Sequence, residues 1–177
     1  MFFEYLNTIK GIIGLFIYKL LYFKRIEFKG IPKICNTNRI AIKRGSKVIL
    51  NKGFRARYNL SIRAYNKGKI EIGENCFFND GCSINCQESI KIGNNVICGQ
   101  NVMLFDHDHD YKKDMNKFVT KPIIIGNNVW IGANCIILKG VTIGDNVVIA
   151  AGSIVKENIE SKTLFYQKRE SINKERV

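Results

Sequence analysis

The two histidines of the chain, His107 and His109, lie in one short segment, residues 105–111, together with three aspartates. A histidine with an ordinary pKa accepts a proton near neutral pH, and an adjacent carboxylate can fix its tautomer and stabilise the imidazolium. This combination suits general-base catalysis, in which a hydroxyl becomes nucleophilic because its proton is removed. We therefore predict that His107 or His109 is a catalytic base and that Asp106 orients it. A solvated, charge-rich loop tip is the alternative role for Asp106 and His109.

A six-residue repeat lies on both sides of this segment. Its first place is occupied by large apolar residues and one cysteine: Ile72, Phe78, Ile84, Ile92, Cys98, Leu104, Ile125, Ile131, Ile137, Ile143 and Ile149. Its fifth place is occupied by small or β-branched residues: Cys76, Cys82, Val96, Val102, Val129, Cys135, Val141, Val147 and Ser153. Upstream, Ile42, Val48, Phe54 and Leu60 keep the same spacing more loosely. Residues 105–122 do not fit the period.

A period of six is neither helical nor a simple strand alternation. It suits a triangular coil in which each face is one short strand with a bulky residue pointing inward, followed by a corner rich in Gly and Asn. Three faces give a coil of about 18 residues, and stacked coils bury a continuous apolar column while their strands pair in parallel. The sequence therefore predicts an all-β parallel β-helix, with residues 105–122 ejected as a loop between coils. Loops on rigid scaffolds commonly carry functional residues.

The units resemble those of the hexapeptide-repeat acyltransferases, whose fold is a left-handed parallel β-helix. The resemblance covers residues 40–157, and the block 121–155 is similar to the branch that contains galactoside, maltose, nodulation-factor and capsule or O-antigen acetyltransferases. It implies an acyl-CoA donor, a hydroxyl or amine acceptor, and a homotrimer with each active site between two neighbouring β-helices. It also implies acetyl-CoA as the co-substrate.

The resemblance implies roles for particular residues. The essential histidine of the family lies about two dozen residues before a tryptophan, and His107 precedes Trp130 by 23 residues, which favours His107 over His109. Trp130 is expected beside the thioester, although an aromatic at a subunit contact is the alternative. The matching small positions expected to contact the CoA are Ala133, Ala151 and Gly152. Lys156 is displaced by one residue from the lysine of the family, and Lys168 lies where the chain departs from the family pattern; both are candidates for contacts to the CoA phosphates. Asn79 and Asn85 precede the loop and are candidates for binding the acceptor sugar, although asparagine is also an ordinary corner residue.

The composition narrows the classes of function. The chain has 177 residues, a net charge of +13 and six cysteines, but no ladder of basic and aromatic residues that would indicate nucleic-acid binding. The cysteines form no C-x-x-C pair, so we expect reduced core thiols and no metal. A γ-class carbonic anhydrase, built on the same scaffold, needs three histidines around zinc, and this chain has two.

Both ends of the chain differ from the repeat. Residues 1–25 are apolar but interrupted by charges, which predicts an amphipathic helix rather than a spanning one. Its apolar half, which includes Ile9, Ile13, Phe16, Ile17 and Leu20, would lie in a membrane interface or pack on the domain or on a neighbouring subunit. The domain is expected over residues 26–160 and a basic tail over 161–177. We expect a cytoplasmic protein, with peripheral contact to the inner face of the membrane as an open alternative.

These observations predict an O-acetyltransferase that moves acetyl from acetyl-CoA to a sugar hydroxyl of a bacterial surface polysaccharide or its lipid-linked precursor. A small-molecule acetyltransferase that acts on a free sugar or an antibiotic is the alternative within the enzyme class. A non-catalytic solenoid for assembly is the alternative outside it. The acceptor and the exact acyl group are left open by the sequence.

Overall fold

The computed structural model describes residues 2–168, with side chains described from residue 9 onward; residues 169–177 of the predicted basic tail lie outside the described residues. Within this range the chain forms one helix, α1 (Phe2–Leu21), and twenty strands. The strands before the interruption are β1 (Ile26–Phe28), β2 (Arg39–Ile42), β3 (Lys47–Leu50), β4 (Arg55–Ala56), β5 (Ser61–Ala64), β6 (Lys69–Ile72), β7 (Phe77–Phe78), β8 (Ser83–Cys86), β9 (Ser89–Ile92), β10 (Ile97–Cys98) and β11 (Met103–Phe105). Those in and after it are β12 (His107–Asp110), β13 (Asp114–Thr120), β14 (Ile123–Ile125), β15 (Trp130–Ile131), β16 (Ile136–Ile137), β17 (Thr142–Ile143), β18 (Val148–Ile149), β19 (Ile154–Val155) and β20 (Leu164–Phe165).

All strands except β12 and β13 stack into three parallel six-stranded sheets, which we name faces A, B and C. Face A has the order β1-β3-β6-β9-β14-β17, face B the order β4-β7-β10-β15-β18-β20, and face C the order β2-β5-β8-β11-β16-β19. Along the chain the faces recur in the order A, B, C, except that the first coil contributes no strand to face B and the last coil none to face A, where single bridges at Lys33 and Ile159 take their place. This is the predicted all-β solenoid, and it agrees with a left-handed parallel β-helix of hexapeptide repeats.

The core is the column of side chains that the repeat predicts to point inward. Every residue that we assigned to the first or fifth place is buried, from Ile72 to Ser153, and so are the four upstream residues. Burying one isoleucine stabilises a fold by roughly 1.5–3 kcal/mol, so a column of this kind accounts for why the sequence adopts the solenoid. The predicted positions are confirmed.

The predicted coil length of 18 residues is correct for the coil that follows the interruption. The early coils take 22 and then 20 residues, and the last coil takes 16. The additional residues lengthen the early strands of faces A and C to four residues, as in β6, where both Ile70 and Ile72 are buried. This difference also explains the break in the repeat at Ile90, because β9 buries both Ile90 and Ile92.

Asparagines with positive φ form the corners. Asn95, Asn128 and Asn146 have φ between 55° and 58°, a region that asparagine tolerates better than most residues. Their side chains form a ladder: the Asn95 amide donates to Asn128 at 3.0 Å, and Asn128 donates to Asn146 at 3.2 Å. The ladder holds successive corners in register, so residues one coil apart lie side by side.

Helix α1 ends at Leu21, four residues before the predicted end, and it contacts the first coil through an unexpected side. Gly11 approaches the backbone of Ile34 so closely that a Cβ would clash with the Ile34 carbonyl oxygen, and Leu15 is 3% exposed. The predicted apolar half is instead exposed, with Phe16 at 72% and Leu20 at 81%. This half therefore does not pack on the domain of its own chain. No helix within residues 2–168 is long and apolar enough to cross a membrane.

Candidate active site

The interruption of the repeat is an antiparallel hairpin, β12 and β13, that leaves the solenoid between β11 and β14. Asp108 pairs with Val119 and His109 with Phe118. Two contacts attach the hairpin to the coils: the Lys121 amide donates to the Asp106 carbonyl at 2.9 Å, and the Lys139 ammonium contacts the Asp108 carboxylate. The segment that we predicted as a loop is therefore an ordered, anchored arm, and Phe105 still belongs to the coil as the last residue of β11.

Asp106 is fully buried at the point where the chain leaves the coil. Its carboxylate accepts hydrogen bonds from three consecutive backbone amides of the preceding coil: Gln87 at 2.8 Å to Oδ1, Glu88 at 2.8 Å to Oδ2 and Ser89 at 2.9 Å to Oδ2. Burial by itself raises the pKa of Asp106, but the hydrogen bonds from His107 and the amides outweigh it, so the pKa lies below its ordinary value. Asp106 is thus a fixed, ionised carboxylate near neutral pH.

His107 is held by this carboxylate. Its Nδ1 lies 2.9 Å from Asp106 Oδ1, and its side chain is 15% exposed. The imidazole and the ring of Phe118 are perpendicular neighbours, with centroids 5.2 Å apart and planes at 86°. Because Nδ1–H donates to the carboxylate, Nε2 is the nitrogen that carries the free lone pair.

His109 is placed differently. Its Nδ1 donates to the Met115 carbonyl oxygen at 2.7 Å, across the hairpin, and the residue is exposed. Its ring also contacts the ring of Phe118, its partner on the opposite strand, with a centroid distance of 4.5 Å. Both histidines therefore contact the same phenylalanine, but only His107 has a carboxylate partner among the described residues.

Both histidines line an open cleft of about 670 Å³. The cleft is formed mostly by the ends of strands on face C and the turns after them. Its lining residues are Lys43, Arg44, Arg63, Tyr65, Asn66, Asn85, Gln87, His107, His109 and Phe118. Sequence reasoning identified Asn85 and the histidines but missed the others. Arg63 pairs with Asn85 in the parallel ladder. Because the two are 22 residues apart, a prediction based on coils of 22 rather than 18 residues would have placed Arg63 beside Asn85.

The second group of predicted residues lies at another corner of the solenoid. We name corner BC the turns after β7, β10, β15 and β18, and corner CA the turns after β8, β11, β16 and β19. Asn79, Ala133, Ala151 and Gly152 lie at corner BC, where the Gly152 amide donates to the Ala133 carbonyl at 2.7 Å. Asn79 is therefore not part of the histidine cleft, and its carboxamide oxygen accepts from the Asp80 amide at 2.9 Å.

Trp130 is 55% exposed on face B, in register with Ile97 and Val148. Trp130 lies just before corner BC in the chain, whereas His107 lies at corner CA, and face C separates the two corners. Within one chain the structure does not bring Trp130 and His107 into one cleft.

The two predicted lysines are exposed. Lys156 follows β19 at corner CA, the corner from which the hairpin leaves. Lys168 follows Gln167, whose carboxamide bonds both backbone groups of Ile154, at 3.0 and 3.1 Å, and so covers the end of face C.

The cysteines belong to the core rather than to the site. Within the described part of the chain the six cysteines form no disulfide, and all but Cys35 are buried. Burial raises the pKa of Cys76 to about 11 and that of Cys82 to about 11, so neither is a thiolate near neutral pH. Each Sγ lies 3.1 Å from a glycine carbonyl of the next coil. Within residues 2–168, no three His, Cys, Asp or Glu side chains are grouped so that they could hold a metal ion.

The three stacked faces and the six-residue period are those of a β-helix of hexapeptide repeats. Residues 122–157 match the family model described as bacterial transferase hexapeptide (six repeats). The resemblance to the hexapeptide-repeat acyltransferases is thereby confirmed.

Three relatives illustrate the likeness. WbbJ of Escherichia coli strain K12, provisionally assigned as a lipopolysaccharide biosynthesis O-acetyl transferase, is 28% identical over 56% of this chain and 57% of its own. The crystal structure of a maltose O-acetyltransferase from Clostridium difficile 630 is 34% identical, with a TM-score of 0.52, over 76% of this chain and 62% of its own. A hexapeptide-repeat acetyltransferase from Vibrio cholerae O1 biovar eltor, solved with acetyl coenzyme A, is 26% identical, with a TM-score of 0.52, over 71% and 63%. The chain thus spans less than two thirds of each of these relatives.

Proposed function

We propose that this protein is an O-acetyltransferase that transfers acetyl from acetyl-CoA to a sugar hydroxyl, with His107 as the general base. The observation that carries the proposal is the pair formed by His107 Nδ1 and the buried Asp106 carboxylate, 2.9 Å apart at the wall of the cleft. The solved relative with bound acetyl coenzyme A supports the choice of donor.

In the proposed reaction, His107 Nε2 takes the proton of the acceptor hydroxyl as its oxygen attacks the acetyl carbonyl carbon. The tetrahedral intermediate collapses, the bond from carbon to sulfur breaks, and the imidazolium returns the proton to the CoA thiolate. The products are the O-acetyl sugar and free CoA. General-base assistance of this kind contributes about 10²–10⁴-fold.

Asp106 acts as the partner of that base. It fixes the tautomer with the proton on Nδ1 and stabilises the imidazolium that forms in the transition state. Because three backbone amides hold the carboxylate, the imidazole is oriented before substrate binds, which is the geometry that proton transfer requires. We propose that His109, exposed on the same hairpin, helps to bind the acceptor and orders the arm, and that Asn85 binds the acceptor sugar.

We further propose a homotrimer in which corner CA of one chain faces corner BC of the next. The support is the separation of Trp130 from His107 within one chain, together with exposed apolar residues on the faces, such as Ile97 and Ile154. In this arrangement Trp130 of one chain lies beside the thioester and His107 of the neighbouring chain beside the acceptor. Ala133, Ala151 and Gly152 would then bind CoA through their backbone, and Lys156 and Lys168 would contact its phosphates.

The proposed acceptor is a surface polysaccharide or its lipid-linked precursor, and the relative in lipopolysaccharide biosynthesis supports it. The exposed apolar half of α1, with Phe16 and Leu20 outermost and Lys10 and Lys19 beside them, supports peripheral contact with an anionic membrane, where such precursors reside. The absence of a disulfide among the described cysteines favours the cytoplasmic side.

Mass spectrometry of the surface polysaccharide from cells with and without the gene tests the acceptor. A loss of O-acetyl groups on deletion, restored by the wild-type gene but not by a His107→Ala gene, is the expected result. An unchanged polysaccharide together with transfer to free sugars by the purified protein would favour the small-molecule alternative. No acetyl-CoA turnover with any acceptor would favour the non-catalytic solenoid.

A further inference from the structure

The cleft beside His107 is lined on its far side by three cations. Lys43, Arg44 and Arg63 are all exposed to the cleft, and no aspartate or glutamate is among the residues that line it. The carboxylate of Asp106 is buried behind His107 and accepts hydrogen bonds from three backbone amides. The surface that a substrate meets is therefore positively charged.

These cations are not neutralised by the protein itself. Within the described side chains, none of the three has an ion pair or a side-chain hydrogen bond. Other lysines of the coils do have such partners: Lys47 pairs with Glu27 at 3.0 Å, and Lys69 pairs with Glu71 at 3.0 Å. Charges that line a cleft without a local counter-ion are available to a ligand, and a concave surface concentrates their field.

The register places Arg63 in line with the base. Arg63 pairs with Asn85, and Asn85 pairs with Phe105, which directly precedes the Asp106–His107 pair. Neighbouring coils are about 4.8 Å apart, so the Arg63 backbone lies roughly 10 Å from that of Phe105. A sugar bound between them would present a hydroxyl to His107 and its other side to the guanidinium.

We propose that the acceptor is an acidic saccharide, whose carboxylate or phosphate is bound by Arg63 together with Lys43 and Arg44 while a neighbouring hydroxyl faces His107. This inference rests on the proposed function, because it names the substrate class of the same site. A planar guanidinium can bind either anion through two parallel hydrogen bonds, and the lysine adds a point charge.

The test compares three sugars of similar size: methyl glucoside, methyl glucuronoside and glucose 6-phosphate. Binding is measured at low ionic strength by the shifts of the two histidine imidazole signals in NMR titrations, and transfer is measured separately with acetyl-CoA. One of the charged sugars is expected to bind at least about tenfold more tightly than methyl glucoside, as one charge-assisted pair would give, and salt should weaken only that advantage. Tighter binding of methyl glucuronoside would indicate that the site prefers a carboxylate, and tighter binding of glucose 6-phosphate would indicate that it prefers a phosphate.

Arg63→Gln should remove most of that advantage. Arg39→Gln is the matched control, because Arg39 is also an exposed arginine on face C but does not line the cleft, and it should leave the advantage unchanged. Equal binding of neutral and charged sugars, or equal losses in the two variants, would overturn the proposal. Preferential binding of a charged sugar without acetyl transfer to any saccharide would contradict the proposed function but support the anion site. Acetyl transfer without such a preference would support the proposed function but contradict the anion site.

Discussion

His107 Nδ1 lies 2.9 Å from Asp106 Oδ1, and the same carboxylate accepts the backbone amides of Gln87, Glu88 and Ser89 from the coil before it. The imidazole of His107 lies where the hairpin leaves the solenoid, and these hydrogen bonds fix it to the coils. A base on a mobile arm would need to be ordered in each catalytic cycle, whereas this one is already oriented.

Replacing His107 with alanine should lower kcat by at least about 10²-fold, because only proton transfer is removed. Binding of acetyl-CoA, measured by calorimetry, should be unchanged. His109→Ala is the matched variant on the same hairpin, and it should act mainly on KM for the acceptor. If His109→Ala abolishes turnover and His107→Ala only weakens acceptor affinity, the two roles are reversed. If neither variant has an effect, the acetyltransferase proposal fails.

Asp106→Asn should destabilise the fold as well as slow the reaction. The carboxamide keeps the size of the side chain, but an NH₂ in the place of Oδ2 cannot accept from the Glu88 and Ser89 amides, so we expect a loss of about 1–3 kcal/mol in the free energy of unfolding. Urea titration at pH 7 measures this loss. Asp108→Asn is the control, because Asp108 is exposed and its contact with Lys139 lies at the surface, where ion pairs contribute about 1 kcal/mol or less.

The loss should also depend on pH. The pKa of Asp106 is lower in the folded state than its ordinary value, so its stabilising effect is present above the unfolded pKa of about 3.9 and disappears as pH falls through the lowered folded pKa. Urea titrations from pH 7 down to pH 2.5 should therefore show the wild type and Asp106→Asn converging in acid. A difference that stays constant over that range would contradict the assignment of the charge to Asp106.

Sites shared between chains can be detected by mixing two inactive variants. If His107 and Trp130 act from neighbouring chains, refolding His107→Ala with Trp130→Ala in equal amounts should restore activity at roughly a quarter of the sites, because closed rings assort the two chains at random. Sedimentation should give a trimer for each variant. Mixtures that remain as inactive as the separate variants would show that both residues act from one chain, or that Trp130 has another role.

Two substitutions on α1 test membrane contact without disturbing its packing on the first coil. Phe16→Ser with Leu20→Ser should reduce flotation with phosphatidylglycerol vesicles at least about tenfold, since each buried apolar side chain contributes about 1.5–3 kcal/mol. Tyr111→Ser removes an equally exposed aromatic from the hairpin (75% exposed) and should float like the wild type. Identical flotation of all three proteins would leave the exposed half of α1 as a subunit contact.

The six-residue period by itself determined the solenoid. An inward residue in every sixth position has only one way to be buried, because stacked flat faces are the arrangement in which that spacing forms a continuous column. The same regularity located the hairpin, since the period fails there, and it drew attention to His107 and His109. The inferences about the solenoid and its interruption succeeded because each depends on residues close together in the sequence.

The tertiary structure decided the features that depend on distant segments. The burial of Asp106 follows from amides about 18 residues earlier in the chain, and the inclusion of Arg63 in the cleft follows from a 22-residue coil that the later repeats do not reveal. The close approach of Gly11 to Ile34 decided which side of α1 packs on the first coil, although the apolar periodicity of the helix favours burial of the opposite half. Hydrophobic periodicity shows which side chains can be buried, but which ones are buried depends on the backbones that can approach each other.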